Sequence, residues 1–166
     1  QLNPLYFDNS VFDLYNSMLH GNTLVLVPSL DINSPVKLLN KIQKHKCTVL
    51  FSTPSLLIYF INFNLLDKKK FSSIKKIIFG GEGFPKAKLE ILYEGLKNKL
   101  FYNVYGPTEC TCICSRYLIG KKDIKNSYNS SKSIYAPIGP IAENFNYKIV
   151  DGYSGEVKKG KVGELV

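Results

Sequence analysis

Short apolar runs alternate with stretches of helical periodicity along the first two thirds of the chain. The runs at residues 48–51, 77–79 and 100–104 have the length of strands, and a further run at residues 22–27 is rich in Leu and Val. Continuous apolar strands are typical of a parallel sheet that is covered on both faces. The pattern therefore predicts four strands in this part of the chain.

Three amphipathic helices are predicted between and beside these strands. Ser34 and Thr53 are each followed by proline, a combination of an N-cap residue with the residue favoured at the first helical position. The second of these helices is predicted over residues 55–63. The third begins at Pro85 and repeats apolar residues on one face. Strands that alternate with helices predict an α/β fold with a mostly parallel sheet and helices on both faces.

The pattern changes after about residue 110. Residues 112–119 predict another strand, and residues 121–133 are rich in Ser, Asn and Lys, which is typical of a surface loop. We expect a single domain, with a parallel α/β part over residues 1–110 and a strand-rich and loop-rich part over residues 111–166.

The last segments predict a hairpin and a final strand. Residues 146–150 and 156–157 flank a turn at Asp151 and Gly152, and residues 163–166 read as the start of a strand. Because the chain also begins at Gln1 without a methionine, we expect it to be the central piece of a longer protein.

Composition and charge narrow the class of protein. Of the 166 residues, 45% are hydrophobic and 21% are charged, which is ordinary for a folded globular domain. No apolar run approaches the roughly 18 residues of a membrane span, so we expect no span and a cytoplasmic location. The formal charge of +9 would suit an anionic partner, but the lysines are scattered. We expect a solvated surface and no nucleic-acid partner.

Three of the four cysteines alternate, at Cys110, Cys112 and Cys114. Structural zinc sites usually space their ligands by two to four residues and add a second pair, whereas His20 and His45 are distant in sequence. In a strand, this alternation would place all three thiols on one face. We therefore favour core or pocket residues over a metal site.

Two polar segments directly follow predicted strands. Residues 80–82 (GGE) come after the third strand along the chain, and residues 105–109 (YGPTE) after the fourth. Ligands of parallel α/β proteins bind beyond the carboxyl ends of the strands. Both segments are therefore candidates for a binding site.

The chemistry of residues 105–109 permits two interpretations. In the first, a stiff turn presents Thr108 to a phosphate oxygen, Glu109 to Mg²⁺ and Tyr105 to a base. In the second, the segment is a β-turn with a capping threonine. The turn chemistry alone leaves both interpretations open.

Three motifs occur in the order found in adenylation domains of the acyl-adenylate-forming superfamily. Residues 103–109 (NVYGPTE) resemble the NxYGPTE motif of that family, residues 7–10 (FDNS) its FDxS motif, and residues 163–165 (GEL) the start of its GEL motif. The resemblance covers essentially the whole chain. It implies the large α/β domain of an adenylate-forming enzyme.

Within the superfamily, the chain most resembles D-alanine–carrier-protein ligases and nonribosomal peptide synthetase adenylation domains. Residues 7–15 and 53–55 resemble the ligases, and residues 79–82 resemble their FCGE segment with one departure. The ligases usually have Cys where this chain has Gly80. We expect the missing side chain to enlarge the substrate pocket, which leaves D-alanine as an open question.

The resemblance implies that Asp8 pairs with the α-ammonium of an amino acid, a charge-assisted hydrogen bond that suits a dry pocket. The alternative for Asp8 is an N-cap for a helix that starts near Ser10. Seven further positions match the substrate pocket of the family: Asn9, Phe12, Ser55, Gly80, Val104, Cys112 and Ile113.

The nucleotide site follows from the same resemblance. Gly81 and Glu82 would approach the adenine, with Tyr105 stacked on it. Thr108 would contact the α-phosphate and Glu109 would bind Mg²⁺, which makes these two the expected catalytic residues. The expected nucleotide-binding residues are Gly81, Glu82, Asn103, Tyr105 and Thr108.

The implied activity has two steps: formation of an aminoacyl-AMP from ATP and a small amino acid, with D-alanine as a candidate, and transfer to the phosphopantetheine thiol of a carrier protein. The phosphate loop and the terminal lysine of the family lie outside this chain, so we expect the chain alone to be inactive. The alternatives are a synthetase module with a larger amino acid, a non-catalytic nucleotide-binding or carrier-docking module, and an acyl- or aryl-CoA ligase.

Overall fold

A computed structural model describes residues 1–124 and 134–166 of the chain. The expected surface loop at residues 121–133 falls mostly outside these ranges. Its first four residues, Lys121–Ile124, form a short helix. The expectation for residues 125–133 lies outside the described residues.

Six α-helices and six strands occur in the described ranges. The helices are α1 (Asn9–Leu19), α2 (Ser29–Ile32), α3 (Pro35–Lys44), α4 (Pro54–Asn62), α5 (Lys86–Gly95) and α6 (Lys121–Ile124). The strands are β1 (Val49–Ser52), β2 (Lys76–Gly80), β3 (Leu100–Tyr105), β4 (Ser115–Leu118), β5 (Ile149–Val150) and β6 (Glu164–Leu165). A 3₁₀ turn covers Thr108–Cys110.

The predicted helix starts are confirmed to within a residue. Pro35 and Pro54 are the first residues of α3 and α4, and α5 begins at Lys86, directly after Pro85. Proline suits these positions because its fixed φ matches a helix and its missing N–H would have had no partner there.

The main sheet has the order β1-β2-β3-β4. β1, β2 and β3 pair in parallel, with Leu50 opposite Ile77 and Ile77 opposite Phe101. β4 is antiparallel to β3, with Tyr105 opposite Ser115. The expected α/β class with a mostly parallel sheet is therefore confirmed, and β4 adds an antiparallel edge.

Helices lie on both faces of this sheet. Leu50, Ile77 and Phe101 share one face by register and belong to a buried cluster that includes Leu57 of α4 and Leu89 of α5. On the opposite face, the ring of Phe51 packs edge-on against Phe12 of α1, with 4.7 Å between the centroids. The sheet is the central layer, and its carboxyl edge remains accessible.

Two of the predicted strands differ in the structure. Residues 22–27 belong to no helix or strand and form no strand pairing within the described ranges. The strand expected over residues 112–119 is shortened to β4, because Thr111 and Cys112 have φ values of 57° and 76°, which no strand residue adopts. The three thiols therefore do not share one strand face.

The predicted C-terminal hairpin is confirmed at its turn. The Asp151 N–H donates to the Gly155 carbonyl at 2.9 Å, and Val150 bridges to Glu156. The longer pairing of β5 is with β6, the expected final strand. Within the described residues, no helix has both the length and the apolar character needed to cross a membrane.

The end of β2 has no room for a side chain where it pairs with β3. Gly80 pairs with Val104, and a Cβ built on Gly80 would lie 2.6 Å from the Val104 carbonyl oxygen and 2.7 Å from its Cγ2. Such distances are below van der Waals contact. Only a residue without a side chain fits this position unless the strands separate.

We expect Gly80→Ala to lower the free energy of unfolding by about 1–3 kcal/mol, because the added methyl group overpacks the β2–β3 contact. The measurement is urea unfolding of the variant and the parent. Gly152→Ala is the matched control, because a Cβ there has nothing within 4 Å. Equal stability of the two variants would contradict the close packing at Gly80.

Candidate active site

A cleft of about 860 Å³ opens at the carboxyl edge of β1, β2 and β3. It is formed by the start of α1 and by the loops that follow the three parallel strands. Six of the expected site residues line it: Asp8, Asn9, Ser55, Gly81, Glu82 and Thr108. Residues expected to contact the amino acid and residues expected to contact the nucleotide are thus brought into one cavity.

Asp8 occupies the N-cap position of α1, but its carboxylate makes no capping hydrogen bond to the first turn. The side chain is half-buried and lines the cleft. The helix thus positions Asp8 at the mouth of the site without using its charge. A carboxylate in this position can accept hydrogen bonds from a cationic group in the cleft.

Glu82 and Ser55 join two of the loops. The Ser55 N–H donates to Oε2 of Glu82, and the Ser55 hydroxyl donates to Oε1, both at 3.1 Å. The Thr53 hydroxyl lies 2.8 Å from that of Ser55. The loop after β2 is thereby connected to the beginning of α4.

Several residues that were expected to line the substrate pocket pack against other residues of the core instead. Phe12 packs on Phe51 and lines a separate cavity of about 440 Å³ between α1, α3 and β1. Gly80 and Val104 are buried against each other. Because the Val104 backbone and side chain occupy the space beside Gly80, the expectation of an enlarged pocket there is wrong.

Asn103 is also turned away from the cleft. Its side chain is 4% exposed, and its amide nitrogen donates to the carbonyl of Pro137 at 2.8 Å and to that of Ala136 at 3.4 Å. These bonds tie the segment after residue 133 to β3. The amide nitrogen of Asn103 thus has a structural role, and the expected part of Asn103 in nucleotide binding stays a prediction.

Cys112 and Ile113 follow the left-handed residue Thr111. The Cys112 thiol is buried and lies 3.9 Å from Oδ1 of Asn9, so it packs behind the start of α1. Burial raises the pKa of this thiol, and the nearby Asp8 carboxylate raises it further. A raised pKa disfavours the nucleophilic thiolate, and Cys112 packs against Asn9 rather than lining the cleft. Ile113 is half-buried in the same segment.

The turn after β3 presents polar groups at the cleft. A Cβ on Gly106 would lie 2.8 Å from the Cα of Ile113, so only glycine allows the chain to fold back here. The turn then enters the 3₁₀ turn, in which Thr108 lines the cleft and Glu109 is exposed beside it. Tyr105 is half-buried at the end of β3.

These oxygen donors fit Mg²⁺ better than a softer metal. In the described ranges, no group of three or more His, Cys, Asp or Glu side chains is arranged to hold a metal ion. Mg²⁺ is usually bound by one or two carboxylates together with phosphate oxygens and water. Glu109 is the carboxylate that would contribute here.

Some lining residues were missed by the sequence reasoning. Thr53 belongs to the segment that already resembled the ligases, and its place beside Ser55 was a usable signal. No local signal marked the others, because they reach the cleft through folding of distant segments. They include Asn3, Asn33 and Tyr59.

This chain is similar to known enzymes over its whole length. The model of the AMP-binding enzyme family matches residues 1–166. The D-alanine–D-alanyl carrier protein ligase of Listeria monocytogenes is 32% identical over 168 residues, which cover 98% of this chain and 31% of that protein. The L-proline–[L-prolyl-carrier protein] ligase of Streptomyces coelicolor is 30% identical over 161 residues, which cover 96% of this chain and 29% of that protein.

A solved structure shares the fold. The Vibrio cholerae adenylation domain AlmE in complex with glycyl-adenosine-5'-phosphate has a TM-score of 0.81 and 26% identity, covering 99% of this chain and 30% of that one. The chain thus spans less than a third of the length of these relatives. The resemblance to adenylation domains is confirmed, and the chain belongs to the AMP-binding enzyme family.

Proposed function

We propose that the protein containing this chain activates an amino acid as its aminoacyl-AMP and passes it to a carrier protein. One observation supports the proposal most directly. Asp8, whose carboxylate does not cap α1, and Thr108 line the same cleft. An ammonium-binding carboxylate and a phosphate-binding hydroxyl in one cavity match a reaction between an amino acid and ATP.

Amino-acid recognition depends on Asp8. Its carboxylate would accept hydrogen bonds from the substrate α-ammonium, and burial of that ammonium is favourable only if such a partner is present. The cleft wall beside it is made by Asn9 and Ser55. The remaining expected pocket residues, Phe12, Gly80, Val104, Cys112 and Ile113, would act from behind by fixing the shape of that wall.

Nucleotide and metal binding are proposed for the segments that follow β2 and β3. The Gly81 backbone and Tyr105 would flank the adenine, and the Thr108 hydroxyl would donate to the α-phosphate. Glu109 would hold Mg²⁺, which supplies charge neutralisation when the substrate carboxylate attacks the α-phosphorus and pyrophosphate leaves. Positioning of the two reactants in one cleft contributes the rest of the rate enhancement.

We further propose a small amino acid as the substrate, with D-alanine and glycine as first candidates. Val104 fills the space beside Gly80, which removes the argument for a larger pocket at that position. The Vibrio cholerae relative was solved with glycyl-adenosine-5'-phosphate, and the Listeria relative is a D-alanine ligase. The similarity to a proline ligase keeps a synthetase-type substrate as the alternative.

The second step requires a carrier protein with a phosphopantetheine thiol as the acceptor. The net charge of +9 suits an acidic carrier surface. A cytoplasmic location is part of the proposal, since ATP is available there. Two alternatives differ from this proposal. A non-catalytic nucleotide-binding module would bind ATP without amino-acid-dependent turnover. The substrate of a CoA ligase has no α-ammonium group, so the Asp8 carboxylate would lack a charged partner.

The first prediction from the proposed function concerns the metal. In the full-length protein, Glu109→Gln is expected to lower the kcat of amino-acid-dependent ATP–pyrophosphate exchange by about 100-fold or more. The reason is that Mg²⁺ would lose a carboxylate ligand, so that the charge on the α-phosphate would be neutralised less well. The measurement is exchange against Mg²⁺ concentration. Glu143→Gln, at an exposed glutamate outside the cleft, is the control. Unchanged exchange in Glu109→Gln would refute the metal role.

The second prediction concerns the ammonium. Asp8→Asn keeps the shape of the side chain but removes its charge, so the KM for the amino acid should rise about 10- to 100-fold while the KM for ATP stays within twofold. The measurement is exchange with D-alanine, glycine and L-proline as substrates. Asp67→Asn, at an exposed aspartate outside the cleft, is the control. Activity towards fatty or aryl acids that ignores Asp8→Asn would favour the CoA-ligase alternative.

A further inference from the structure

The beginning of α4 lacks a capping bond from its own N-cap residue. Thr53 occupies the N-cap position, and its side chain makes no hydrogen bond to the first turn. Pro54 follows and has no N–H, so the first backbone donor of the helix belongs to Ser55. This donor has no partner within the helix, so it is satisfied either by a capping group or by water.

A carboxylate from a distant part of the chain accepts from this donor. Both oxygens of Glu82 are engaged by Ser55, one by the N–H and the other by the hydroxyl, across 27 residues of sequence. The Thr53 hydroxyl is 2.8 Å from the Ser55 hydroxyl and completes the group. The carboxylate also lies at the end of the helix where the macrodipole favours a negative charge.

Glu82 consequently connects two of the segments that line the cleft. Ser55 lies at the start of α4, which follows β1, whereas Gly81 and Glu82 form the turn that follows β2. A Cβ on Gly81 would lie 3.6 Å from the Asn9 side-chain nitrogen, so this turn also touches the start of α1. We therefore expect a change in the Glu82–Ser55 contact to alter the geometry of the amino-acid pocket.

We propose that Glu82 is a positioning residue for the amino-acid pocket. Its carboxylate caps α4 through Ser55 and fixes the distance between that helix and the turn at residues 80–82. The Gly81 backbone is left to face the nucleotide, and the Glu82 carboxylate does not bind it. The kinetic part of this inference rests on the proposed function, and the structural part does not.

Hydrogen exchange in the full-length protein tests the structural part. In Glu82→Ala, the Ser55 amide should exchange about tenfold faster, because a hydrogen bond to a charged acceptor is lost. Glu82→Gln should stay within about threefold of the parent, since its amide can accept from the Ser55 N–H and donate to the hydroxyl. Glu143→Gln is the control, and unchanged exchange along β3 (Leu100–Tyr105) checks that the variants are folded.

Kinetics of ATP–pyrophosphate exchange test the role in the pocket. Glu82→Ala should raise the amino-acid KM about tenfold and leave the ATP KM within twofold, and Glu82→Gln should recover most of the loss. If both variants raise the ATP KM equally and spare the amino-acid KM, the carboxylate binds the nucleotide and the inference is wrong.

The two measurements separate failure of this inference from failure of the proposed function. A parent protein that shows no exchange with any amino acid refutes the proposed function, while Ser55 hydrogen exchange still decides whether Glu82 caps α4. An unchanged Ser55 exchange rate in Glu82→Ala overturns the inference even if the enzyme is active.

Discussion

The close approach of β2 and β3 is the constraint on which the cleft depends. Gly80 and Val104 are directly paired near the ends of these strands, and no side chain fits between them. The loops that carry Glu82 and Thr108 therefore leave the sheet from adjacent points, separated by little more than the roughly 4.8 Å spacing of neighbouring strands. Wider spacing at Gly80 would move the two loops apart and open the floor of the cleft.

Polar contacts then fix the loops on this frame. Glu82 accepts two hydrogen bonds from Ser55, and Asn103 donates to the backbone of residues 136 and 137. Both contacts satisfy backbone groups that have no hydrogen bond within a helix or strand. One is the N–H donor at the start of α4, and the others are carbonyl oxygens outside any strand. The loops of the candidate site are thus positioned by hydrogen bonds that also satisfy the requirements of folding.

The three side chains proposed to bind the ammonium, the α-phosphate and Mg²⁺ differ from these supporting residues, because within residues 1–124 and 134–166 they make no side-chain hydrogen bond to the rest of the chain. Asp8 sits at a helix start without capping it, and Thr108 and Glu109 project from a short 3₁₀ turn. Such polar groups lie together at the carboxyl edge of a parallel sheet, where they can bind a polar or charged ligand. The expected pocket residues behind them are mostly packed in the core, where they shape the cleft without touching it.

The sequence by itself determined the α/β class, the starts of α3, α4 and α5, and the family, because helical periodicity, proline positions and the segment at residues 103–109 are local signals. Residues 22–27 looked like a strand for the same local reason, yet strand pairing needs a partner at the right distance, and none is present in the described ranges. The alternating cysteines likewise predicted one strand face, which the left-handed backbone of Thr111 and Cys112 prevents.

The tertiary structure alone decided what each site residue touches. Gly80 predicted open space from its missing side chain, but Val104 lies against it. Glu82 matched a nucleotide-binding position, but its carboxylate is bonded to Ser55. Both outcomes depend on contacts between residues that are more than twenty positions apart in the sequence. The type of a residue limits the partners that it can have, but only the folded chain decides which of those partners lies close to it.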